Sequence, residues 1–345
     1  MKRVLFITQA VNLNNPVMSF VHRWIEVFSQ KVSISSVICL EKGENHFPKE
    51  INIYSLGKEE GKSRLKYIFN FYKYLWKEKG NYDAVFVHMN EEYVLLAGLW
   101  WRLCGKKIFL WRNHLSGTWK TRLAVFMSHK VFCTSTTSFT AKFQKTVIMP
   151  VGVDDSIFKK IDIARDRNKI VYVGRISRVK KIELLIDAFI LVKKEIPSAF
   201  LHIYGPTTDE EYLKELKQKM LDAHIEDAVL FLGGVKQQDL PSVYSSGIVC
   251  INTTNSGSFD KTIVESAFCE IIPLVSNPNF SLDLPSNLKS VVSFEEDNIK
   301  SLAQGIFAIL KLSESEYNSI TKELALISRS KHSLSSLVNT FSTFL

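Results

Sequence analysis

Short apolar runs of strand length alternate with longer, helix-like runs along most of the chain. This alternation predicts parallel sheets covered by helices on both faces. A chain of 345 residues is too long for one ordinary core and suits two α/β domains. We therefore predict an α/β protein with two doubly wound, Rossmann-like domains. The strand-like runs lie at 4–8, 32–40, 84–88, 107–111 and 131–134, and again at 170–173, 200–204, 229–232, 248–252 and 272–276.

Composition excludes several other classes of protein. With 46% hydrophobic and 23% charged residues, the chain is not of the disordered type. Its longest apolar run, at 93–101, is well short of the roughly 20 residues that a spanning helix needs. The first residues enter a strand pattern without the apolar segment and cleavage site of a signal peptide. We expect a cytoplasmic protein.

The chemistry-bearing residues favour neither a disulfide framework nor a metal centre. Five cysteines at wide spacing, mostly in apolar runs, are typical of buried reduced thiols. The sequence has no Cys-x-x-Cys, His-Glu-x-x-His or Asp-x-Asp pattern. We predict no metal and no bound cofactor. The cysteines are Cys39, Cys104, Cys133, Cys250 and Cys269.

Two segments of the second half together indicate a phosphate and ribose site. The strand at 170–173 is followed by Gly174 and Arg175, and Lys180 comes five residues later. A guanidinium fork and an ammonium point charge suit a diphosphate. Residues 256–260 form a loop and N-cap, so the following peptide N–H groups would face a phosphate. Glu265 lies inside the first turns of that helix, where its carboxylate could accept hydrogen bonds from two vicinal ribose hydroxyls.

These two segments resemble the retaining glycosyltransferases of family 4, which have the GT-B fold. The resemblance extends over most of the chain and is clearest at about 147–276. In that family a strand ends in Gly-Arg and a Lys follows five residues later, as at Gly174, Arg175 and Lys180 here, and the family's Arg and Lys bind the donor diphosphate. We expect Gly174 to belong to the donor site and Arg175 and Lys180 to stabilise the leaving group. The segment at 147–158 resembles the family's domain connection, and 202–206 resembles its next strand end.

The resemblance implies two domains that face each other across a cleft. It implies an acceptor-side domain at 1–152 and a nucleotide-sugar domain at 153–330. It also implies a last helix, at 331–345, that crosses back to the first domain. No metal is required for the diphosphate, because Arg175, Lys180 and a helix N-terminus neutralise it.

Two departures from the family's pattern affect sugar recognition. The family has a second Glu eight positions before the one matching Glu265, and this chain has Gly257 there. We expect Asp260 or Lys261 to replace it as a sugar or phosphate contact, with Thr262 beside them. The family's glycine-rich turn is also absent at 12–28, where Asn14, Asn15 and Pro16 make the turn.

Further candidates follow from strand ends. Gly233, Gly234 and Val235 would let the backbone approach the base; an ordinary strand-end turn is the equal alternative. His114 matches the family's histidine beside the reacting carbon of the donor sugar, which makes it a predicted catalytic residue. His88 is a second candidate, with Glu91 and Glu92 as acceptor contacts.

Charge is distributed unevenly between the two halves. Residues 1–150 contain 22 Lys and Arg against 10 Asp and Glu, whereas the rest of the chain has a net charge of −3. All six tryptophans also lie in the first part: Trp24, Trp76, Trp100, Trp101, Trp111 and Trp119. Basic charge mixed with Trp and Tyr is typical of contact with an anionic membrane surface. We expect peripheral attachment to the inner face of the plasma membrane.

The segment 63–80 is the strongest local candidate for that contact. At helical spacing it has an apolar stripe flanked by basic residues. For this segment alone, a helix packed on its own sheet is the slightly favoured interpretation; the charge of the whole first part favours the membrane. The stripe consists of Leu65, Ile68, Phe69, Tyr72 and Leu75 or Trp76, and the bases are Arg64, Lys66, Lys73, Lys77 and Lys79.

The predicted function is transfer of a sugar from a nucleoside diphosphate to a hydroxyl of a glycolipid or lipid-linked saccharide, with retention. A nucleotide-sugar epimerase or hydrolase on the same fold is one alternative. A non-catalytic GT-B subunit, suggested by Gly257, is another. No helix-turn-helix, zinc-finger or RNP pattern supports a nucleic-acid partner. The sequence does not determine the oligomeric state.

Overall fold

The protein is described by a computed structural model that covers residues 2–15, 18–254, 259–282 and 284–345. The chain divides into two compact units. Unit 1 consists of residues 1–152 together with Leu334–Leu345, and unit 2 consists of Val153–Ser333. In the described ranges, no helix combines the length and the apolar character needed to cross a membrane.

Unit 1 is built on a seven-stranded parallel sheet with the order β3-β2-β1-β4-β5-β6-β7. Neighbouring strands pair in parallel, so the chain must cross back between them, and a helix makes this connection from β1 to β2, from β4 to β5 and from β5 to β6. The strands are β1 Arg3–Val11, β2 Ser33–Lys42, β3 Asn52–Ser55, β4 Ala84–His88, β5 Lys107–Trp111, β6 Lys130–Cys133 and β7 Thr146–Ile148.

Helices cover both faces of this sheet and enclose two hydrophobic cores. Because side chains alternate along a strand, Val4 and Phe6 of β1 enter one core and Leu5 and Ile7 enter the other. The helices α1 Phe20–Lys31 and α13 Leu334–Ser342 pack in the first core. The second core lies under α2 Arg64–Glu78, α3 Glu92–Leu103 and α4 Trp119–Met127.

Unit 2 has a five-stranded parallel sheet with the order β10-β9-β8-β11-β12. Its strands are β8 Lys169–Val173, β9 Phe200–Tyr204, β10 Val229–Phe231, β11 Val249–Asn252 and β12 Ile272–Val275. Its helices are α5 Ile182–Glu195, α6 Glu210–Asp222, α7 Leu240–Ser245, α8 Lys261–Phe268, α9 Pro278–Ser281, α10 Ser286–Val292, α11 Ile299–Leu310 and α12 Glu314–His332.

Local signals in the sequence fix several helix starts. The Asp209 side chain accepts a hydrogen bond from the Tyr212 amide at 3.0 Å and so begins α6. Ser313 and Glu316 form a reciprocal capping box at the start of α12. Such caps satisfy backbone N–H groups that have no partner inside the helix.

The structure confirms the α/β class and a parallel sheet in each half, and each of the ten predicted strand-like runs coincides with a strand. Two strands, β3 and β7, were not predicted. They have four and three residues and are only partly buried, so neither leaves a clear alternating pattern. The prediction of buried thiols is wrong for Cys104, which follows α3 and is exposed; the other four cysteines are buried.

Candidate functional site

The predicted donor residues collect at the carboxyl edge of the unit 2 sheet. Strand β8 lies in the middle, with β9 on one side and β11 on the other, so the chain changes direction between β8 and β11. Open α/β sheets bind ligands at such a switch point. Gly174 and Arg175 directly follow β8, and Thr253 and Thr254 follow β11.

Three glycines bring neighbouring strand ends close together. The Gly174 amide donates to the Tyr204 carbonyl at 2.9 Å, and the Gly205 amide donates to the Gly233 carbonyl at 2.7 Å. Gly205 has a φ of +152°, and a Cβ atom there would lie 1.8 Å from the Gly174 carbonyl oxygen. Only glycine fits this approach. At Gly234 the nearest atoms would be 3.9 Å away, so that position is open.

Lys180 is the centre of a polar cluster between β8 and β11. It ends the 3-10 turn Arg178–Lys180, and its ammonium group donates to the Thr254 hydroxyl at 3.0 Å and to the Asp260 carboxylate. The Thr254 hydroxyl in turn donates to Asp260 at 2.7 Å. The Asn252 amide nitrogen donates to Asp260 at 3.1 Å. Three side chains, from the turn after β8 and from the end of β11, thus converge on the Asp260 carboxylate.

This cluster keeps Asp260 ionised. Burial by itself raises the pKa of the Asp260 carboxyl, but the Lys180 charge and the hydrogen bonds from Lys180, Thr254 and Asn252 outweigh burial and lower it. Asp260 precedes α8 directly and is its N-cap residue, although its side chain makes no capping hydrogen bond. The carboxylate is therefore directed to Lys180.

Glu265 lies on α8 and is 7% exposed. Its carboxylate accepts a hydrogen bond from the Tyr244 hydroxyl at 3.1 Å. Burial raises the pKa of Glu265 to about 7, while the charge of Lys261 and the Tyr244 hydrogen bond oppose that shift. For Lys261, burial lowers the pKa of the ammonium group and the Glu265 charge raises it. The two groups are four residues apart on α8 and stabilise each other's charged forms.

The remaining predicted donor residues of unit 2 lie around this cluster. Arg175 is exposed, and no side-chain hydrogen bond or ion pair of its guanidinium is found within the described residues. The Thr262 hydroxyl accepts from the Asn252 amide at 3.3 Å. Val235 is half-buried in the loop that follows β10 and Gly234. Of the predicted loop at 256–260, residues 256–258, including Gly257, lie outside the described residues, whereas Asp260 is the N-cap residue of α8.

The predicted residues of unit 1 lie at the carboxyl ends of its strands. His114 follows β5 and is exposed, and its Nδ1 atom lies 3.0 Å from the Ser116 hydroxyl oxygen. His88 ends β4 and is buried, with Nδ1 3.2 Å from the Thr8 hydroxyl oxygen. His88 packs among aromatic rings, including Trp24. The role predicted for each histidine stays a prediction.

The two carboxylates predicted as acceptor contacts differ in their surroundings. Glu91 forms an ion pair with Arg112 at 2.5 Å and accepts a hydrogen bond from the Thr121 hydroxyl at 2.9 Å. Glu92 is exposed at the start of α3. Of the predicted turn before α1, the Asn15 side chain accepts a hydrogen bond from the Met18 amide at 2.9 Å, and Pro16 lies outside the described residues.

Sequence reasoning missed Asn252, Thr254 and Tyr244. A signal for the first two was present, since polar residues directly follow the buried strand β11, at the edge where ligands bind. Tyr244 gave no signal, because a buried tyrosine in a short helix is ordinary until its hydroxyl partner is known. Among the described residues, no group of three or more His, Cys, Asp or Glu side chains is arranged to hold a metal ion.

Residues 153–323 match the family of glycosyl transferases group 1. The mannosylfructose-phosphate synthase of Agrobacterium fabrum is 31% identical over 134 residues, which are 34% of this chain and 30% of that protein. The poly(glycerol-phosphate) alpha-glucosyltransferase of Bacillus subtilis is 26% identical over 160 residues, 44% of this chain and 22% of that protein. The match thus spans less than a third of either relative.

The whole chain is also similar in fold to a solved structure. Anabaena HepE in complex with UDP and glucose superposes with a TM-score of 0.78 at 15% identity, over 100% of this chain and 99% of that one. At this identity the likeness shows the fold alone. Residues 153–323 therefore form a domain of the glycosyl transferases group 1 family, and the chain has the GT-B fold of two Rossmann-like domains.

Proposed function

We propose that this protein is a glycosyltransferase that moves a sugar from a nucleoside diphosphate to a hydroxyl group. One observation carries the proposal. At the switch point of the unit 2 sheet, inside the matched family domain, Lys180 contacts Asp260 at the start of α8, and the buried carboxylate of Glu265 lies one turn into the same helix. A diphosphate needs a cationic group such as Lys180, and a ribose needs a carboxylate such as Glu265.

Arg175 and Lys180 are proposed to bind the donor diphosphate and to stabilise charge on it as the sugar leaves. Negative charge grows on the leaving phosphate, and preorganised cations lower the free energy of that state. The exposed guanidinium of Arg175 is accessible to a ligand. Gly174 places it directly at the end of β8. No metal is assigned a role, because two cations and the first amides of α8 are sufficient to neutralise the diphosphate.

Glu265 is proposed to accept hydrogen bonds from the two ribose hydroxyls, which would replace its contact with Tyr244. Gly234 and Val235 are proposed to border the base. We propose a uridine nucleotide as the first donor to test, because the structurally similar Anabaena HepE was crystallised with UDP and glucose. The open space at Gly234 is compatible with close approach of a planar ring.

Asp260 is proposed to hold Lys180 until the donor binds, when the diphosphate takes its place on the ammonium group. A carboxylate repels a phosphate, so of the two contacts predicted for Asp260 a direct phosphate contact is disfavoured. After the exchange, the freed carboxylate would accept a sugar hydroxyl. Lys261 and Thr262, the first residues of α8, would then contact the phosphate or sugar.

Retention of the sugar's configuration is proposed on the resemblance to family 4. No carboxylate nucleophile is required, because front-face attack assisted by the leaving phosphate accounts for retention. His114 is proposed to contact the donor sugar near its reacting carbon. The anomeric configuration of the product, read by proton NMR, tests retention directly.

The acceptor is proposed to be a hydroxyl of a glycolipid or lipid-linked saccharide, used at the cytoplasmic face of the membrane. The names of the relatives given above indicate different acceptors. The proposal of a lipid-linked acceptor therefore depends on the basic, Trp-rich character of unit 1. Peripheral attachment of unit 1 would bring the protein to an acceptor that remains in the bilayer.

Calorimetry with UDP tests the donor site. Arg175→Ala and Lys180→Ala should each weaken UDP binding by about 1.5 to 3 kcal/mol, the usual contribution of a hydrogen bond to a charged group. Arg178→Ala is the matched control, because this arginine lies in the same segment but is bound by Glu215 at 2.8 and 2.6 Å. Unchanged affinity in both test variants would remove the diphosphate assignment.

Product analysis separates the three candidate functions. A transferase converts donor and acceptor into a new glycoside, whereas a hydrolase releases free sugar and an epimerase returns an isomeric donor. Binding of UDP without any of these products in an acceptor screen would favour the non-catalytic subunit. Loss of product in Lys180→Ala, with Arg178→Ala active, ties the reaction to the site described above.

A further inference from the structure

Helices α2, α3 and α4 present a continuous face of exposed apolar and basic side chains, here called the α2–α4 face. Of the nineteen exposed large hydrophobic residues in the described part of the chain, ten lie on these three helices. They include each exposed aromatic residue of that set. The ten are Leu65, Ile68, Phe69, Tyr72, Trp76, Leu99, Leu103, Trp119, Leu123 and Phe126.

The three helices form one surface. The Tyr72 hydroxyl on α2 donates to the Leu96 carbonyl on α3 at 2.7 Å. The Arg102 side chain on α3 donates to the Met127 carbonyl on α4 at 2.7 Å. The helices α1 and α13, which cover the opposite side of the same sheet, carry none of the exposed large hydrophobic residues of the described chain. Among the helices that cover this sheet, the exposed large hydrophobic residues therefore lie on one side, and the other two such residues of unit 1, Leu115 and Ile148, lie in a loop and on β7.

Helix α2 has two apolar stripes, and only one faces the core. Phe71 and Leu75 are buried with the sheet, whereas Phe69 is 61% exposed and Trp76 is 66% exposed. At 100° per residue, the exposed stripe through Leu65 and Trp76 is rotated by well over a quarter turn from the buried side. Packing on the sheet therefore does not account for the exposed stripe, and a second apolar environment is required.

The charges on this face indicate what that environment is. The helices α2, α3 and α4 carry seven Lys and Arg against two acids, and one of the acids, Glu78, is buried. Lys66, Lys73 and Lys77 recur at helical spacing along one flank of the exposed stripe, and none of them forms an ion pair within the described ranges. Basic residues beside a stripe of Trp, Phe and Leu are typical of helices that lie in a membrane interface.

From these observations we infer that the α2–α4 face docks on an anionic lipid bilayer, with its aromatic side chains in the interface. A second copy of this chain is a poorer occupant, because apposing two such faces would bring like charges together. The side chains of Trp76 and Trp119 would reach headgroup depth, where Trp is favoured. This inference specifies the membrane contact in the proposed function, and it holds whichever sugar is transferred.

Sedimentation with vesicles tests the inference. The full chain should sediment with phosphatidylglycerol–phosphatidylcholine vesicles at low salt and remain in the supernatant with pure phosphatidylcholine. Combined Lys66→Glu, Lys73→Glu and Lys77→Glu substitutions should weaken binding by about tenfold or more. Combined Phe69→Ser, Trp76→Ser and Phe126→Ser substitutions should weaken binding to a similar degree.

Matched controls lie on exposed positions of unit 2. Lys214→Glu, Lys217→Glu and Lys300→Glu change the net charge by the same amount as the charge variant. Leu221→Ser, Leu230→Ser and Leu326→Ser remove exposed apolar side chains elsewhere. Both control variants should bind vesicles like the unchanged protein. Equal losses in test and control variants would overturn the assignment of this face.

Tryptophan fluorescence gives an independent readout of depth. Of the six tryptophans, Trp76 and Trp119 are exposed, and the other four are buried or half-buried. Lipids with brominated chains should quench the emission of the bound protein, and Trp76→Tyr with Trp119→Tyr should abolish the quenching while binding persists. Quenching that persists in this double variant would contradict the inference. A protein that stays in the supernatant with anionic vesicles would also contradict it. The same holds if the charge and aromatic variants of the α2–α4 face lose self-association in analytical ultracentrifugation but keep vesicle binding.

The outcome does not depend on the proposed reaction. UDP affinity should be unchanged in the charge and aromatic variants, because their substitutions lie in unit 1 and outside the proposed donor site. A protein that binds UDP but not vesicles contradicts only the docking inference. A protein that binds vesicles but not UDP contradicts only the donor assignment.

Discussion

The Lys180 ammonium group and the Asp260 carboxylate form an ion pair at the predicted diphosphate subsite. Asp260→Asn removes the carboxylate charge, so Lys180 no longer has to exchange one anion for another when UDP binds. We therefore expect the free energy of UDP binding to become more favourable by about 1 to 2 kcal/mol. Calorimetry measures the change. Asp297→Asn is the matched control, because Asp297 pairs with the neighbouring Lys181 at 2.5 Å. Weaker UDP binding by Asp260→Asn would mean that Asp260 is needed to orient Lys180.

Glu265 gives a pH-dependent prediction. Burial raises the pKa of its carboxyl to about 7, and the bound form must be ionised to accept two hydroxyl hydrogen bonds. Protonation therefore competes with the ribose as the pH falls through 7, and affinity should increase with pH and level off above about pH 8. We expect about a tenfold gain between pH 6 and pH 8.

The 2′,3′-dideoxy nucleotide is the control ligand for Glu265. Its affinity should lack this gain, and the ratio of the two affinities cancels the titration of the phosphate itself. Glu265→Gln should reduce the ribose affinity by about 1 to 3 kcal/mol and flatten the pH profile. An equal loss for both nucleotides would assign Glu265 to the packing of α8 against Tyr244.

At the residue scale, the sequence predicted the places of the candidate side chains at strand and helix ends better than it predicted their partners. Arg175, Lys180 and Glu265 were found from spacing after a strand and inside a helix. The contact between Lys180 and Asp260 joins residues 80 positions apart, and local patterns carry no information about such pairs. The contact between Tyr244 and Glu265 was missed for the same reason.

At the element scale, the ends of β8 and β9 depend on one glycine. A Cβ atom at Gly205 would overlap the Gly174 carbonyl oxygen, which is backbone and cannot rotate away. We expect Gly205→Ala to lower the free energy of unfolding by several kcal/mol and to weaken UDP binding, because Arg175 follows the displaced carbonyl. Gly234→Ala, where the nearest atoms lie 3.9 Å away, should change stability little.

Urea unfolding followed by circular dichroism measures both glycine variants. A stable Gly205→Ala protein with unchanged UDP affinity would contradict the tight approach of the strands. If Gly234→Ala keeps its stability but loses UDP affinity, the open space at Gly234 belongs to the ligand, as the proposed base contact requires.

Helix α2 shows the limit of pattern reasoning for an element. For this segment alone, the sequence slightly favours a helix whose apolar stripe packs on the sheet. That interpretation is wrong for most of the stripe, because Leu65, Phe69 and Trp76 are exposed. The 3.6-residue period predicted the helix correctly. A period identifies a face that avoids water, but it does not distinguish a protein core from another apolar environment.

At the scale of the whole molecule, unit 1 is completed by the last residues of the chain. Helix α13 contributes Leu337, Val338 and Phe341 to the first core of unit 1, although residues 153–333 separate it from the rest of that unit. The ring of Phe341 lies 5.1 Å from those of Phe28 and Phe86 between centroids. We therefore expect the stability of unit 1 to depend on residues that follow unit 2 in the chain.

Phe341→Ala tests this dependence, because each unit has its own reporter. All six tryptophans belong to unit 1, so their fluorescence follows its unfolding, while UDP binding reports on unit 2. Removing a buried Phe should lower the stability of unit 1 by about 3 to 5 kcal/mol. Leu326→Ala, at an exposed position of α12, should leave the fluorescence transition in place. An unchanged transition in Phe341→Ala would show that unit 1 folds without α13, and a loss of UDP binding would show that the two units do not fold independently.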